Sequence, residues 1–231
     1  MNRAFSILLL FLSFDCTPII YKETQGFITV RNTLNEEVEI FPEKTRSIGF
    51  RRDFNVNVND LLQFSELESV EISYSKFEDL KGIDRIKKLT YLNLSGTSVK
   101  DLQSLSALIK VHSLILNDTL VENFESVQEM KSLTRLSIAN TQVKSLSFVQ
   151  YFPELRQLDI RDTLIDSLNG IETAKKLTSL LIGNTKIHSI ANAAVLKHLT
   201  NLEIDNLRIP ESEIVNLRTR LPFLKIVRRK K

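Results

Sequence analysis

The amino-acid sequence predicts an α/β repeat solenoid, in which short strands form one parallel sheet and short helical segments lead back to the next strand. Three observations support this prediction: a 22-residue period, apolar residues at fixed places within it, and turn-forming residues at one further place. Of the 231 residues, 42% are hydrophobic but only 7% are aromatic. This composition favours a core of many similar aliphatic contacts.

The repeat is clearest in residues 89–110, and the same pattern restarts every 22 residues. The restarts are Leu67, Leu89, Val111, Leu133, Leu155, Leu177 and Leu199. Apolar residues occupy positions 1, 4, 6, 11, 14, 17 and 20; in residues 89–110 they are Leu89, Leu92, Leu94, Val99, Leu102, Leu105 and Leu108. A single repeat cannot bury its apolar side alone, so the repeats must stack.

Positions 4 and 6 have the period of two that a strand requires, which puts positions 3, 5 and 7 on the opposite face. The strand must end at position 8, because the residues there are types that adopt positive φ readily. They are Gly96, Asp118, Asn140, Asp162, Asn184 and Asn206.

Position 9 carries small hydroxyl side chains, which are predicted to point inward and bond the backbone of the turn. The resulting structural ladder consists of Thr97, Thr119, Thr141, Thr163 and Thr185. Position 13 carries helix N-cap types, and apolar residues follow at three-residue spacing, so a short helical or 3₁₀ segment is expected after each cap. The caps are Asp79, Asp101, Asn123, Ser145, Ser167 and Ser189.

The pattern of Leu89, Leu92, Leu94 and Val99 resembles that of leucine-rich repeats, with Thr97 where the family usually has Asn. The resemblance covers residues 67–209 and is to the 22-residue class of internalins and phosphatase regulators. It implies a right-handed superhelix with the parallel sheet on its concave face and 3₁₀ or α segments on its convex face. It also implies binding of a partner through the concave face.

Both ends of the repeat array are predicted to be capped. Residues 27–66 form the N-terminal cap, with a β-hairpin from the alternating runs 27–30 and 37–41 and a degenerate repeat over 45–66. Residues 210–231 form the C-terminal cap, with a helix after Pro210, a last strand within 223–227 and a basic tail. The tail is expected to be solvated and mobile.

The N-terminus resembles that of a bacterial lipoprotein. An apolar run over residues 4–14 predicts a signal peptide at 1–15, followed by Cys16 as the lipid attachment site and a tether over 16–26. The resemblance implies a membrane-anchored protein of the cell envelope. A soluble exported protein and an uncleaved apolar N-terminus stay open, because Ser13 and Asp15 depart from the family's pattern.

The concave face supplies the candidate partner-binding residues, because aromatic, aliphatic and Arg side chains dominate interface energetics. They are Tyr91, Ile115, Arg135, Asp159, Arg161 and Leu181. Positions 3 and 5 should face solvent, so replacing Arg135 or Asp159 with Ala is expected to leave stability nearly unchanged. The alternative is that these side chains only keep an exposed sheet soluble.

Neither catalysis nor metal binding is predicted. His112, His188 and His198 lie at different repeat positions, and no phosphate-binding or nucleophile motif is present. The acidic residues of the last repeats lack calcium-loop spacing, and Arg161 competes with a cation there. No cofactor is expected.

The 31 basic and 28 acidic residues are interspersed along the sequence, which argues against a nucleic-acid surface. The leading hypothesis is an exported, lipid-anchored monomer that binds another protein or a surface polymer. The alternative is a non-catalytic scaffold or regulatory subunit of an enzyme, resembling the cytoplasmic phosphatase regulators.

Overall fold

The computed structural model describes residues 26–50, 52–77 and 79–229. The expected signal peptide, Cys16 and nearly all of the tether lie outside these residues. Nine parallel strands form one sheet in which chain order and spatial order coincide, and this confirms the predicted solenoid. The strands are β3 Ser47–Gly49, β4 Ser69–Glu71, β5 Tyr91–Asn93, β6 Ser113–Ile115, β7 Arg135–Ser137, β8 Gln157–Asp159, β9 Ser179–Leu181, β10 Asn201–Glu203 and β11 Lys225–Val227.

Because the repeats have equal length, residues at the same repeat position form straight columns across the sheet. From β3 to β10 each strand residue pairs with the residue 22 positions further along the chain, as Leu92 of β5 does with Leu114 of β6. The middle residue of these strands points into the core and is at most 2% exposed. Equal spacing therefore lets every repeat bury its apolar side against its neighbours.

Short 3₁₀ segments lie on the convex side, as the sequence predicts. They are Ile83–Arg85, Gln103–Leu105, Glu125–Val127, Ser147–Tyr151, Ile171–Thr173 and Ala191–Val195. The assignment of position 13 as the cap is wrong: the residue before the segment lies one position later in four repeats, as Leu102 does after Asp101, and three positions later in the other two, at Gly82 and Gly170. Asp101 instead fixes the preceding turn, where its Oδ1 accepts the Gln103 N–H at 2.8 Å.

The N-terminal end of the core is closed by an antiparallel hairpin, β1 Phe27–Arg31 and β2 Val38–Pro42. Its inner face buries Ile28 and Val30, and a short helix, α1 Val58–Leu61, follows β3. Four aromatic rings fill the space beneath, with the centroids of Phe50 and Phe54 5.0 Å apart. The members of this cluster are Phe41, Phe50, Phe54 and Phe64.

The C-terminal end is closed by the helix α2 Glu211–Arg220, which begins after Pro210 and buries Ile214 and Leu217. Glu213 ties this helix to the last repeat, because its Oε2 accepts the Ser189 hydroxyl at 2.9 Å and the Ile190 N–H at 2.8 Å.

The basic tail is not simply solvated and mobile, so that expectation is wrong for its first two residues. Arg228 donates to the carbonyl of Ile209, and Arg229 donates to Asp205. Within the described part of the chain, no helix combines the length and the hydropathy needed to cross a bilayer.

Candidate functional site

The threonines at position 9 fix the turn that ends each strand of the concave face. The hydroxyl of Thr141 donates to the carbonyl of Ile138 at 2.7 Å, and the same bond recurs in the neighbouring repeats at 2.6–2.8 Å. The donors are Thr97, Thr119, Thr141, Thr163 and Thr185, of which the first four are buried. These bonds hold the concave side chains at fixed spacing.

Position 8 adopts positive φ in every repeat, including the one that holds Tyr74 there with a φ of 55°. The Tyr74 ring lies against the next position-8 residue, Gly96, where a Cβ atom would collide with it. On its other side, the Arg52 guanidinium lies 4.4 Å from the ring centroid. The only glycine in this column therefore makes room for the tyrosine beside it.

Positions 3 and 5 of the strands form the concave face, but they are not equally exposed. Arg135 is exposed, whereas Tyr91 and Leu181 are half-buried. Ile115 is only 7% exposed, so the expectation that it faces solvent is wrong, whereas its role in partner binding stays a prediction. Ile115 pairs with Asn93 of β5 on one side and with Ser137 of β7 on the other.

Four of the six predicted residues line one depression of about 130 Å³ over β7, β8 and β9. These four are Arg135, Asp159, Arg161 and Leu181. Gln157 and Ser179 add polar groups to its wall. Tyr91 and Ile115 lie on β5 and β6, outside the depression.

Asp159 and Arg161 form a bidentate ion pair in this depression. Arg161 donates from Nε and Nη2 to the two carboxylate oxygens of Asp159, at 2.9 and 2.7 Å. The hydrogen bond to Asp159 raises the pKa of Arg161 above its ordinary value. The Asp159 side chain is 13% exposed, so the expectation that it merely faces solvent is wrong.

A second group of charges extends from this pair along the sheet. Arg161 Nη1 lies 3.8 Å from Glu203, whose other neighbour, Arg229, lies 3.9 Å away. Arg229 also donates to Asp205 from its backbone N–H at 2.6 Å and from Nε at 2.7 Å. Burial raises the pKa of Glu203, although Arg161 acts in the opposite direction.

Gly183 makes this arrangement possible, because a Cβ there would lie 2.9 Å from Glu203 Oε1. Sequence reasoning missed both Gly183 and Arg229. Gly183 gave a signal, since it is the one glycine in the position-7 column of the repeats. No sequence pattern indicated a role for Arg229, because it approaches Asp205 only once the C-terminal cap has folded.

Over β8 to β10, the charged side chains of this face are paired within the chain. Arg161 and Arg229 lie against the carboxylates of Asp159, Glu203 and Asp205. Among the described residues, no group of three or more metal-ligating side chains comes together. The histidines are exposed and lie in separate places: His112, His188 and His198.

Comparisons with known proteins agree with this architecture. Residues 52–163 match the family model of the endo-beta-N-acetylglucosaminidase EndoS leucine-rich-repeat domain. A search of curated proteins gave no match. The structure is similar to internalin C2 from Listeria monocytogenes, with a TM-score of 0.73 and 19% identity over 83% of this chain and 85% of that one.

Two further solved structures are similar. An internalin (inlF) from Listeria monocytogenes has a TM-score of 0.66 and 17% identity over 74% of this chain and 50% of that one. A leucine-rich-repeat protein from Leptospira interrogans has a TM-score of 0.53 and 21% identity, over 73% and 56% of the two chains. The chain thus spans half the length of the first of these, and the likenesses show a shared fold.

Proposed function

We propose that the chain, which has the leucine-rich-repeat fold, binds another protein through the concave face of its sheet, without catalysis. The observation that carries the proposal is Arg135. It is exposed at the rim of the depression over β7 to β9, and no described residue forms an ion pair with it. Arg161 of the same depression, by contrast, pairs with Asp159 and lies near Glu203.

This arrangement suits a protein partner that presents a carboxylate beside an apolar side chain. The carboxylate would pair with Arg135, and the apolar group would contact the half-buried Leu181. Because the Asp159–Arg161 pair already holds the floor in place, little ordering is needed on binding. Nine strands at about 4.8 Å spacing span roughly 38 Å, enough for an interface of about 800 Å² per partner.

The test is capture of partner proteins from a host or envelope extract by the immobilised chain, followed by measurement of the affinity of the captured protein. Arg135→Ala and Tyr91→Ala should each be compared with Lys144→Ala and Gln150→Ala on the convex side. At least one concave change should weaken binding by more than tenfold, which corresponds to about 1.4 kcal/mol. Loss of binding only with the convex changes would move the site to the other side of the solenoid.

The same proposal includes export and lipid attachment at Cys16, which would place the chain on a membrane of the bacterial cell envelope. The support is the apolar run over residues 4–14 beside the single cysteine of the chain. Cys16→Ala should move the protein from the detergent phase to the aqueous phase. Unchanged partitioning would point to an uncleaved anchor instead.

Mass spectrometry of the mature N-terminus separates this proposal from the scaffold alternative. A mature chain that begins at Cys16 supports export. A cytoplasmic chain that keeps residues 1–15 favours a regulatory subunit resembling the phosphatase regulators.

A further inference from the structure

Positive charge is concentrated at the edge of the solenoid where the strands begin. Because the strands are parallel, the residues that lead into them lie along one edge of the sheet. Nine basic side chains and one acidic side chain, Glu154, occupy the five-residue windows that end on the first residue of β5 to β10. The nine, which we name the basic edge, are Lys87, Lys88, Lys110, Lys131, Arg135, Arg156, Lys175, Lys176 and Lys197.

The fold, rather than the overall composition, creates this charge. The six windows carry a net charge of +8, whereas the whole chain carries only +3. The equivalent windows at the opposite edge, which start at position 8 after β5 to β10, contain four basic and four acidic side chains. The even spacing of charges along the sequence therefore does not carry over to the surface.

Most of the basic edge is available to a partner, since all nine side chains are exposed. Lys88 pairs with Glu66 at 2.8 Å, and Lys176 pairs with Glu154 at 2.5 Å. The other seven have no ion-pair partner in the part of the chain that the structure describes. From β5 to β10 the basic edge extends over about 24 Å, given strand spacings of about 4.8 Å.

Two exposed apolar side chains lie at the same edge. Ile109, which is 56% exposed, occupies the repeat position that holds Lys87, Lys131, Lys175 and Lys197 in other repeats. Phe223 lies two residues before β11 and is 89% exposed. Lysines interspersed with exposed apolar side chains are typical of surfaces that lie in the headgroup region of a membrane.

We propose that the basic edge binds the surface of a membrane that contains anionic phospholipids. The lysines contact the headgroup phosphates, while Ile109 and Phe223 enter the boundary with the acyl chains. Each cation near such a surface strengthens binding by about fivefold. A linear polyanion would use the charges but would have no use for the two apolar side chains.

This orientation is compatible with concave-face binding but does not depend on it. The edge lies at the ends of the strands, whereas most of the concave side chains project from the face of the sheet. Arg135 is the one residue that belongs to both surfaces, so it is left unchanged in the test.

The experiment measures binding of the full chain to phosphatidylcholine vesicles with and without phosphatidylglycerol, by co-flotation. All proteins carry Cys16→Ala so that no lipid is attached, and binding to pure phosphatidylcholine serves as the baseline. The test variant combines Lys131→Gln, Lys175→Gln and Lys197→Gln. The control combines Lys76→Gln, Lys144→Gln and Lys186→Gln, which removes the same charge from exposed lysines that follow the strands and lie outside the basic edge.

The test variant should lose about a hundredfold in its partition constant for phosphatidylglycerol vesicles, from three losses of about fivefold each. The control should lose clearly less. Phe223→Ala should lower binding to these vesicles by about tenfold but leave binding to heparin unchanged. Equal losses in the two lysine variants, or binding to heparin without binding to vesicles, would overturn the proposal.

Discussion

At position 9, one hydroxyl group replaces a whole side-chain amide in holding the turn. Where the pattern of leucine-rich repeats usually has Asn, Thr141 uses a single O–H that donates to the Ile138 carbonyl. Because Thr141 is 2% exposed, water cannot take over the bond when the hydroxyl is removed. The free energy of the bond should therefore be visible in the stability of the whole chain.

Thr141→Val is expected to lower the free energy of unfolding by about 1 to 3 kcal/mol, because the Ile138 carbonyl loses its partner in a buried place. Urea denaturation measures the change. The control is Thr173→Val, which removes a hydroxyl bonded to a carbonyl three residues back in the same way, but on an exposed residue. Its cost should stay below about 0.5 kcal/mol. Equal costs would show that burial does not set the value of the ladder.

Arg135 and Asp159 differ more than their sequence positions suggest. Asp159→Ala is expected to cost about 1 to 3 kcal/mol, because it leaves the Arg161 guanidinium without its two-pronged partner. Arg135→Ala should change stability by less than about 0.5 kcal/mol. A double-mutant cycle of Asp159→Ala with Arg161→Ala, followed by urea denaturation, should give a clear coupling energy. Additive losses of stability would mean that the interaction between these two side chains does not stabilise the fold.

At the scale of the element, strands are predicted well by alternation, but the exposure of their outer residues is not. The buried middle residue of each strand, such as Leu114, follows from the period of two. The burial of Ile115 depends on which side chains occupy the two adjacent strands, at a distance of 22 residues on either side. The exposure of an outer strand residue is thus set by the side chains of the adjacent strands. The alternation within its own strand does not predict it.

Glu203 of β10 is a second outer strand residue whose surroundings depend on neighbouring elements. Burial raises the pKa of Glu203, so the folded chain holds this proton more tightly than the unfolded chain does. The stabilisation due to the neutral carboxyl is therefore fully present at low pH, and it is lost as the pH rises through the folded-state pKa.

Glu203→Gln should accordingly be more stable than the parent chain at neutral pH, because the amide is never charged. The difference should shrink as the pH falls towards 4.5, the ordinary pKa of the group, where the parent's carboxyl becomes protonated. Thermal melting in neutral and in acidic buffer measures both values. A variant that is less stable at neutral pH would indicate that the ion pairs with Arg161 and Arg229 outweigh the cost of burial.

At the scale of the whole molecule, the period predicts the architecture because every repeat is placed by its neighbours alone. Counting positions within the repeat gives the sheet, the turns and the convex segments. The positions of the basic residues within the repeat likewise identify the basic edge. Their even distribution along the sequence does not reveal it. The charge network of Asp205 and Arg229 follows no such rule, since its members come from the last repeat and from the cap beyond it.

Removing one entire repeat tests this dependence on neighbours. Deletion of residues 155–176 joins Glu154 to Leu177, so β7 comes to lie beside β9 in the register that each had with β8. The shortened chain should still unfold cooperatively, with lower stability and a denaturant m-value smaller by roughly a tenth, because less surface is exposed on unfolding.

Deletion of residues 155–165 provides the control, because half a repeat removes β8 and its turn but leaves a convex segment with no strand to return from. The apolar residues of the flanking repeats can then no longer align, so this chain should show no cooperative transition in urea. If both deletions unfold the chain, the stability of the solenoid depends on contacts beyond nearest neighbours. If both fold, the 22-residue register is not what aligns the strands.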